Sequence, residues 1–592
     1  MELPPRDRLL AGLTPEQRAA VTDESGLLCV LAGAGSGKTT VLTRRVAWRL
    51  HMASADADHV LVLTFTRKAA SELRARLAHL GAPGGIRAGT FHSAAYGLLR
   101  RYWADRDIRP PSLLGDPTRL LREAGAELGI PAEAIATVAI EVAWARARLV
   151  DAARYPAAAA SAGRQTPMPA DQIAAVMTRF GDAKRRKRVI DLDDLVSLAG
   201  DVLEREAAFA AAERWRVRHL FVDEFQDVNP AQFRLLEQWR HGRGDLCAVG
   251  DPRQAIYAWN GSDPDLLVRL PVLIPGMTVV RLDQNHRSAP AIVSAALAVL
   301  GAAAGPHAVD EPGFRLEEGL PVEGGTGPVA VREVAGAPPS LTGFDDEEAE
   351  AAAVVRWLRG AHRPGRPWRH LAVLARTHAR LEAVADALRR SGIPFRRAGD
   401  AAAGPVGEVL RELRRAPRNL PLHAALVDAS AAGVELQGDV LRLVDEYAAE
   451  EEHRTVGGFL AWMSANPGAI DGNGASEDAV ELATFHRAKG LEWPCVAVIG
   501  LEDGTAPIAY AVSDAAKAEE RRLLYVALTR AEDELFCSWA AADATGRSRR
   551  RRPSPFLHPL RNAIAAGAPA PAAAAPARIA QLRAQLELSA AP

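Results

Sequence analysis

The residues from Ala32 to Thr40, AGAGSGKTT, have the types and spacing to hold a polyphosphate. They follow an apolar run, Leu27 to Leu31, that reads as a buried strand, and precede VLTRRVAWRL, which has the period of a helix. A loop of small residues in that place aims backbone N–H groups and the positive end of the helix dipole at one point. Gly33, Ala34, Gly35, Ser36 and Gly37 make the loop. Lys38 is placed to reach the β- and γ-phosphates, and the Thr39 hydroxyl to ligate magnesium. The one departure from the usual loop is Ala32, where glycine is expected.

A second set of chemical groups lies in HLFVDEFQDVNP. The strand His219 to Val222 delivers Asp223 and Glu224 to its C-terminal end, where Asp223 would hold Mg2+ through its waters and Glu224 would orient and deprotonate an attacking water. The next strand, LCAVGD, leads into DPRQAIYAWNG, which places Gln254 to sense a γ-phosphate. Tyr257 and Trp259, two residues apart, present rings that suit either a core or a ligand. Upstream, Gln17 in LTPEQRAAV suits the adenine edge, because an amide donates and accepts together; a solvated side chain is the competing reading.

A third pattern suits single-stranded nucleic acid. In HVLVLTFTRKAASELRARL a strand turns into a helix at Thr66 to Ala69, and the turn carries Phe65 beside Thr64, Thr66, Arg67 and Lys68. An aromatic ring stacks a base while hydroxyls and cations hold phosphates. GTFHS, Gly89 to Ser93, offers small donors at the end of another short strand, and strand C-terminal ends are where open parallel sheets bind ligands.

These groups need a large scaffold. The 592 residues exceed a single core, and 48% hydrophobic with 24% charged residues is ordinary for a soluble globular protein. The apolar runs fall short of the roughly 20 residues of a membrane span and the N-terminus lacks a signal-peptide core, so a cytoplasmic protein with no membrane partner is expected. Cys29, Cys247, Cys495 and Cys537 lie far apart, and support neither a zinc site nor a disulfide framework. With a formal net charge of −1, any nucleic-acid binding must come from local basic grooves. One such run is Lys184 to Arg188, which reads either as a solvated face or as a phosphate contact. Strand-then-helix signals recur around 60–102, 196–278, 279–400 and 476–545, separated by helical stretches at 103–195 and 401–475. An α/β protein of two similar halves, each with a helical insertion, follows. From about 546 the chain is basic and then Ala/Pro-rich, which reads as a disordered or weakly docked tail with an arginine cluster, Arg549 to Arg552.

Taken in order, LTPEQ, AGAGSGKT, TFTRKAASE, GTFHS, VDEFQD, VGDPRQAIYAWNG, LDQNHRS, ARTHAR, ATFHRAKGLEWP and EERRLLYVALTRA resemble the UvrD/PcrA/Rep branch of superfamily 1 DNA helicases, over roughly residues 10 to 545. Ala32 also resembles this family. The resemblance implies two RecA-like P-loop motor domains, the first from 1–102 and 196–278 around an insertion at 103–195, the second from 279–400 and 476–545 around a reduced insertion at 401–475. It implies ATP and Mg2+ between the motors and single-stranded or tailed duplex DNA across them, with 3′ to 5′ movement. Gln17 would then read adenine. Arg287 and Arg530 would be arginine fingers, and Gly490 and Glu492 would touch γ-phosphate and ribose. The implied DNA contacts are Phe65, Thr90, His92, Tyr257, Trp259, Arg376 and His486. A monomer in a bacterial cytoplasm, associated with the nucleoid and meeting repair or replication proteins, is the expected setting.

Five positions depart from that pattern. Thr40 stands where arginine is common, and His286 where a tyrosine stacks on adenine, so weaker nucleotide binding is expected. Arg67, Asn260 and Arg380 replace asparagine, arginine and glutamine. The insertion at 401–475 is about half as long as in the best-known relatives, which raises a second expectation: a DNA-stimulated translocase that strips proteins and unwinds weakly without a partner.

Overall fold

The computed structural model describes residues 6–114, 116–166, 168–243, 245–301, 329–332, 337–397, 405–431, 436, 439–450, 454–464, 478–543 and 551–567. The chain divides into two compact units, Met1–Asp283 with Arg397–Glu477, and Gln284–Arg396 with Asp478–Pro592.

The first unit is built on a six-stranded sheet, ordered from edge to edge Arg87–Thr90, Val60–Thr64, His219–Val222, Leu246–Gly250, Leu27–Ala32 and Thr278–Leu282. All five adjacent pairs are parallel. Parallel strands covered on both faces read as continuous apolar runs. Leu61 and Leu63 accordingly join one core, with Phe91, Leu98 and Leu235, while Val60 and Val62 join the other, with Val41, Leu42 and Val46. Because the strands are parallel, their C-terminal ends gather at one edge. Leu31 stands opposite Gly250, Leu63 opposite Val222, and Thr64 opposite Thr90.

The stretch expected to be a helical insertion contains helices Thr118–Ala126, Ile135–Ala147, Tyr155–Ser161 and Ala170–Lys187, with a core of their own around Leu121, Val138, Val176 and Phe180. A short parallel pair, Ser112–Leu113 with Val189–Ile190, closes its base. Here the basic run divides. Lys184 is buried and bonded to Asp191 at 3.0 Å and Asp194 at 2.8 Å, a role that neither a solvated face nor a phosphate contact describes. Arg185 to Arg188 are exposed, and Lys187 pairs with Glu123 at 2.7 Å.

The second insertion holds helices Pro405–Arg415, Leu422–Ala431, Asp439–Glu450 and Val456–Ser464 around Leu413, Leu443, Tyr447 and Phe459. Although its sequence interrupts the second half of the chain, it groups with the first unit. Arg67 is buried there, its guanidinium carbon 3.4 Å from the centroid of the Trp462 ring. The arginine that replaces asparagine in the family pattern therefore holds the insertion's helix.

The second unit has its own six-stranded sheet, ordered Ser340–Phe344, Ala531–Ala540, Trp493–Ile499, Leu371–Ala375, Val480–Thr484 and Phe395–Arg397. The other unexpected arginine, Arg380, is buried among carboxylates, bonded to Glu347, to Glu350 at 2.6 Å and to Glu502 at 2.8 Å. Burial raises the Glu502 carboxyl above its ordinary range. A neutral glutamine could not compensate this cluster.

The expectation of a disordered or weakly docked tail from 546 needs correction over residues 551–567. Arg551 pairs with Glu347 at 2.5 Å, the Ser554 N–H donates to the Leu501 carbonyl at 2.9 Å, and helix Leu557–Gly567 packs on helix Pro290–Leu300. Phe556, Leu557 and Leu560 are buried, an apolar spacing that the surrounding Ala/Pro bias conceals in sequence. Arg549, Arg550 and the Ala/Pro-rich segment 568–592 lie outside the described residues.

Candidate nucleotide and nucleic-acid sites

The phosphate loop follows Leu27–Ala32 and ends at Gly37, which adopts φ +83° just before helix Lys38–His51. No side chain caps this helix, so the N–H groups of its first turn remain for a ligand. A Cβ at Gly37 would stand 2.8 Å from the Gln17 Nε2, which adds a steric reason for glycine to the positive φ. The loop is braced from inside. The Ser36 hydroxyl donates to the Gly33 carbonyl at 2.8 Å, and the Gly33 N–H donates to the Leu282 carbonyl at 3.2 Å. Ala32 and Ala34 are buried, and Gly35 has φ +67°. Thr39 and Thr40 are half-buried, in the first turn of the helix.

Gln17 is not solvated. It is 7% exposed, its Nε2 donates to the Ser36 carbonyl at 2.8 Å, and its Oε1 accepts from the Thr14 N–H at 3.1 Å. The glutamine thereby joins the loop to the capping box of helix Pro15–Thr22.

Asp223 follows its strand into the same edge and is 4% exposed. Burial, and then repulsion from Glu224, push its carboxyl up to about 7, against the favourable charge of Lys38. A buried acid with too little cationic compensation suits a divalent cation. Among the described residues no group of three His, Cys, Asp or Glu side chains could hold a metal. That is compatible with Mg2+ held by one carboxylate, a threonine hydroxyl, phosphates and waters. Asp223 and Thr39 are the residues that would hold it.

Glu224 takes φ +51°, the left-handed region that disfavours a side-chain-bearing residue by roughly 1–2 kcal/mol. Such conformations gather at functional sites. Its N–H donates to the Asp223 Oδ1 at 3.0 Å, which locks the two acids together. The reading of the sequence passed over Gln226. It is fully buried, its Nε2 donates to the Glu224 carboxylate, and its Oε1 accepts from the Asp251 N–H at 2.9 Å. The Gln254 Nε2 in turn donates to the Asp251 Oδ2 at 2.7 Å. A relay therefore joins the base candidate to the γ-phosphate sensor candidate through Gln226 and Asp251. The signal was a glutamine in an otherwise buried run, two residues past Glu224, where a polar group must find partners.

The nucleic-acid candidates of the first unit share this edge. Phe65 is half-buried, 6.1 Å from the Phe91 ring, so it belongs partly to the core. Thr90 is buried, and its hydroxyl caps helix Phe91–Asp105 by accepting from the Ser93 N–H at 3.2 Å. Burial lowers the pKa of His92 below the ordinary histidine value. Tyr257 is half-buried and its phenol pKa is raised, by burial and then by Asp227 and Glu224. Trp259 is 43% exposed, on a turn whose Gly261 packs against Ala147 and Trp144.

In the second unit the candidates separate. Arg376 and His486 follow the aligned strand ends Ala375 and Thr484. Arg376 pairs with Glu520 at 2.8 Å, and the His486 pKa falls to about 4 through burial, then through Arg376 and Lys489. His486 is thus neutral at physiological pH, fit to stack or hydrogen-bond a base rather than to attract phosphate. At the opposite sheet edge Trp493 stands beside Ala531, which places Gly490, Glu492 and Arg530 together. Arg287 joins them in an ion pair with Glu492. Its neighbour Ser288 donates to the Ala531 carbonyl at 2.7 Å. Arg530 is 2% exposed and donates to the carbonyls of Val526 at 2.9 Å and Leu491 at 3.1 Å. Gly490 has φ +79°, and His286 is exposed. Arg376 and Arg530 therefore stand at opposite ends of the strands, roughly 20 Å apart at 3.3 Å per residue, and the turn from His486 to Gly490 leads from one end towards the other.

Comparison with known proteins agrees with this geometry. Residues 13–272 match the UvrD/REP helicase N-terminal domain, and residues 280–402 and 439–542 match the UvrD-like helicase C-terminal domain. The chain is 35% identical to the ATP-dependent DNA helicase UvrD2 of Mycobacterium tuberculosis, over 93% of its own length and 82% of the relative's. It is 29% identical to UvrD1 of Mycobacterium leprae, over 90% and 83%, and 27% identical to DNA helicase II of Salmonella typhimurium, over 93% and 88%. Two parallel-sheet units with a phosphate loop in the first, and these matches along most of its length, show that the chain belongs to the UvrD-like helicase family, with two RecA-like motor domains.

Proposed function

We propose that this protein is an ATP-dependent DNA helicase that moves 3′ to 5′ along single-stranded DNA and separates duplex DNA, in repair, recombination or replication restart. The observation that carries the reading is the acid pair of buried Asp223 and half-buried Glu224, facing the uncapped helix that begins at Lys38. Lys38 and the loop N–H groups bind the phosphates. Glu224, positioned by Gln226, takes the proton of the attacking water, and Gln254 senses the γ-phosphate and is joined to Glu224 through Asp251 and Gln226. Mg2+ bound with ATP neutralises charge on the β- and γ-phosphates. Arg287 and Arg530 act as arginine fingers on the transferring phosphoryl group, a contribution typically of roughly 10³ to 10⁵ in rate. Phe65, Tyr257, Trp259 and His486 stack or contact bases without reading sequence, which suits a translocase.

A second reading, a translocase that removes proteins from DNA and unwinds weakly alone, is favoured by the short second insertion and its grouping with the first unit. ATP hydrolysis by Lys38→Ala and Glu224→Gln proteins, with and without single-stranded DNA, tests the site. Loss of turnover in both variants is expected, and wild-type rates in either would refute the assignment.

A further inference from the structure

The opposite edge of the first sheet carries a surface that neither the nucleotide nor the DNA assignments use. Three strands begin there in register, Val60 opposite His219 and Leu61 opposite Arg87. The phosphate and DNA candidates stand at the other ends of these strands, roughly 13–17 Å away at about 3.3 Å per residue.

Trp215 lies at this edge, in the last turn of helix Ala207–Arg216. That helix turns Phe209, Ala210 and Glu213 inward and leaves Trp215 56% exposed. The ring is held rather than loose. The Arg218 guanidinium carbon lies 4.0 Å from its centroid, and the His59 ring meets it edge-on at 5.4 Å. Around it the cations crowd. Arg87 donates to the Asp58 carbonyl at 3.1 Å and also to the Arg216 carbonyl. Burial first, and then the charges of Arg101 and Arg216, lower its pKa to about 10. Glu213 serves both Arg101, at 2.7 Å, and Arg216, at 3.3 Å. Four guanidinium groups thus face three carboxylates, Glu213, Asp58 and Asp56, the last 4.0 Å from the His59 Nε2, while the adjoining Arg49 and His219 share Asp245. In a chain of net charge −1, that excess is local.

We propose that this surface docks an acidic segment of a partner protein, whose apolar or aromatic anchor packs on Trp215 while its carboxylates meet Arg87, Arg216 and Arg218. Tryptophan and arginine dominate binding hot spots, and complementary charge selects the partner. A DNA path calls for successive stacking rings along a groove, whereas this surface offers one ring, framed by arginines and interrupted by acids. The choice of a protein over DNA rests on the proposed function in one respect only, that DNA follows the other edge.

The test uses the full chain and a fluorescein-labelled peptide of aspartates and phenylalanines, with a lysine-for-aspartate version as control, read by anisotropy at two salt concentrations. The acidic peptide is expected to bind, less tightly at high salt, and at least ~10-fold less tightly to Trp215→Ala and Arg218→Glu proteins. Affinity for labelled single-stranded DNA should stay unchanged in both. No binding by the wild-type chain, equal binding by the variants, or equal binding of the lysine peptide overturns the proposal. Loss of DNA affinity in the variants overturns it too, by making the surface a nucleic-acid contact. If thermal melting shows Trp215→Ala to be unfolded, Arg216→Glu, at an exposed position, takes its place. ATP hydrolysis unresponsive to DNA in a chain that still binds the peptide would sink the helicase reading and leave the docking surface standing.

Discussion

Replacing Asp223 by asparagine should make the nucleotide-free protein more stable while abolishing its activity. The Asp223 carboxyl is held at about 7 instead of its ordinary 3.8, so ionising it in the folded chain is penalised by up to ~4 kcal/mol, at 1.36 kcal/mol for each tenfold change in proton affinity. The raised folded pKa fixes the sign. The folded state binds the proton more tightly than the unfolded state, so stability declines as pH rises from about 4 to about 7 and levels off above that. Asparagine is neutral throughout and escapes the penalty. At pH 8, without nucleotide or magnesium, Asp223→Asn should melt at least ~2 °C above the wild type, and the gap should narrow by pH 5. Addition of Mg2+ and ADP should reverse the order, because the wild type gains a ligand that the variant holds poorly. Differential scanning fluorimetry at the two pH values, with and without Mg-ADP, reads all of this. A variant less stable than the wild type at pH 8, or equally stabilised by Mg-ADP, would refute the placement of an uncompensated carboxylate in a cation site.

Three further substitutions separate structural from functional roles. Trp259→Ala, at a 43% exposed ring, should weaken single-stranded DNA binding by roughly 1–3 kcal/mol and reduce DNA-stimulated hydrolysis more than basal hydrolysis. Phe65→Ala should do the same with an added loss of thermal stability, because that ring also packs on Phe91; equal loss of both activities would make these rings core residues. Gln226→Ala removes the amide between Glu224 and Asp251, and should lower kcat at least ~10-fold with little change in KM for ATP, since phosphate binding rests on the loop. A rise in KM alone would contradict the relay.

The phosphate loop and the acid pair were legible in the sequence because each follows an apolar strand and precedes a turn, a local pattern that parallel sheets repeat. The strand from His219 to Val222 and the helix that begins at Lys38 stand where the residues placed them. What local pattern cannot carry is pairing across the chain. Lys184 sits in a basic run, yet its partners Asp191 and Asp194 draw it into the interior. Gln226 and Gln17 look like ordinary polar side chains until burial forces them to find partners. Arg67 and Arg380 stood out as departures, and their reasons, Trp462 and a cluster of glutamates, lie far away in sequence. In the tail, alanine and proline hid the buried Phe556, Leu557 and Leu560.

The most direct test of the proposed activity is strand displacement on 3′-tailed, 5′-tailed and blunt duplexes, with Mg2+ and ATP. ATP-dependent separation of the 3′-tailed duplex, absent from the other two and lost in the Lys38→Ala protein, is the expected result. Separation that persists in Lys38→Ala, or that favours the 5′ tail, would contradict a 3′ to 5′ helicase driven from this phosphate loop.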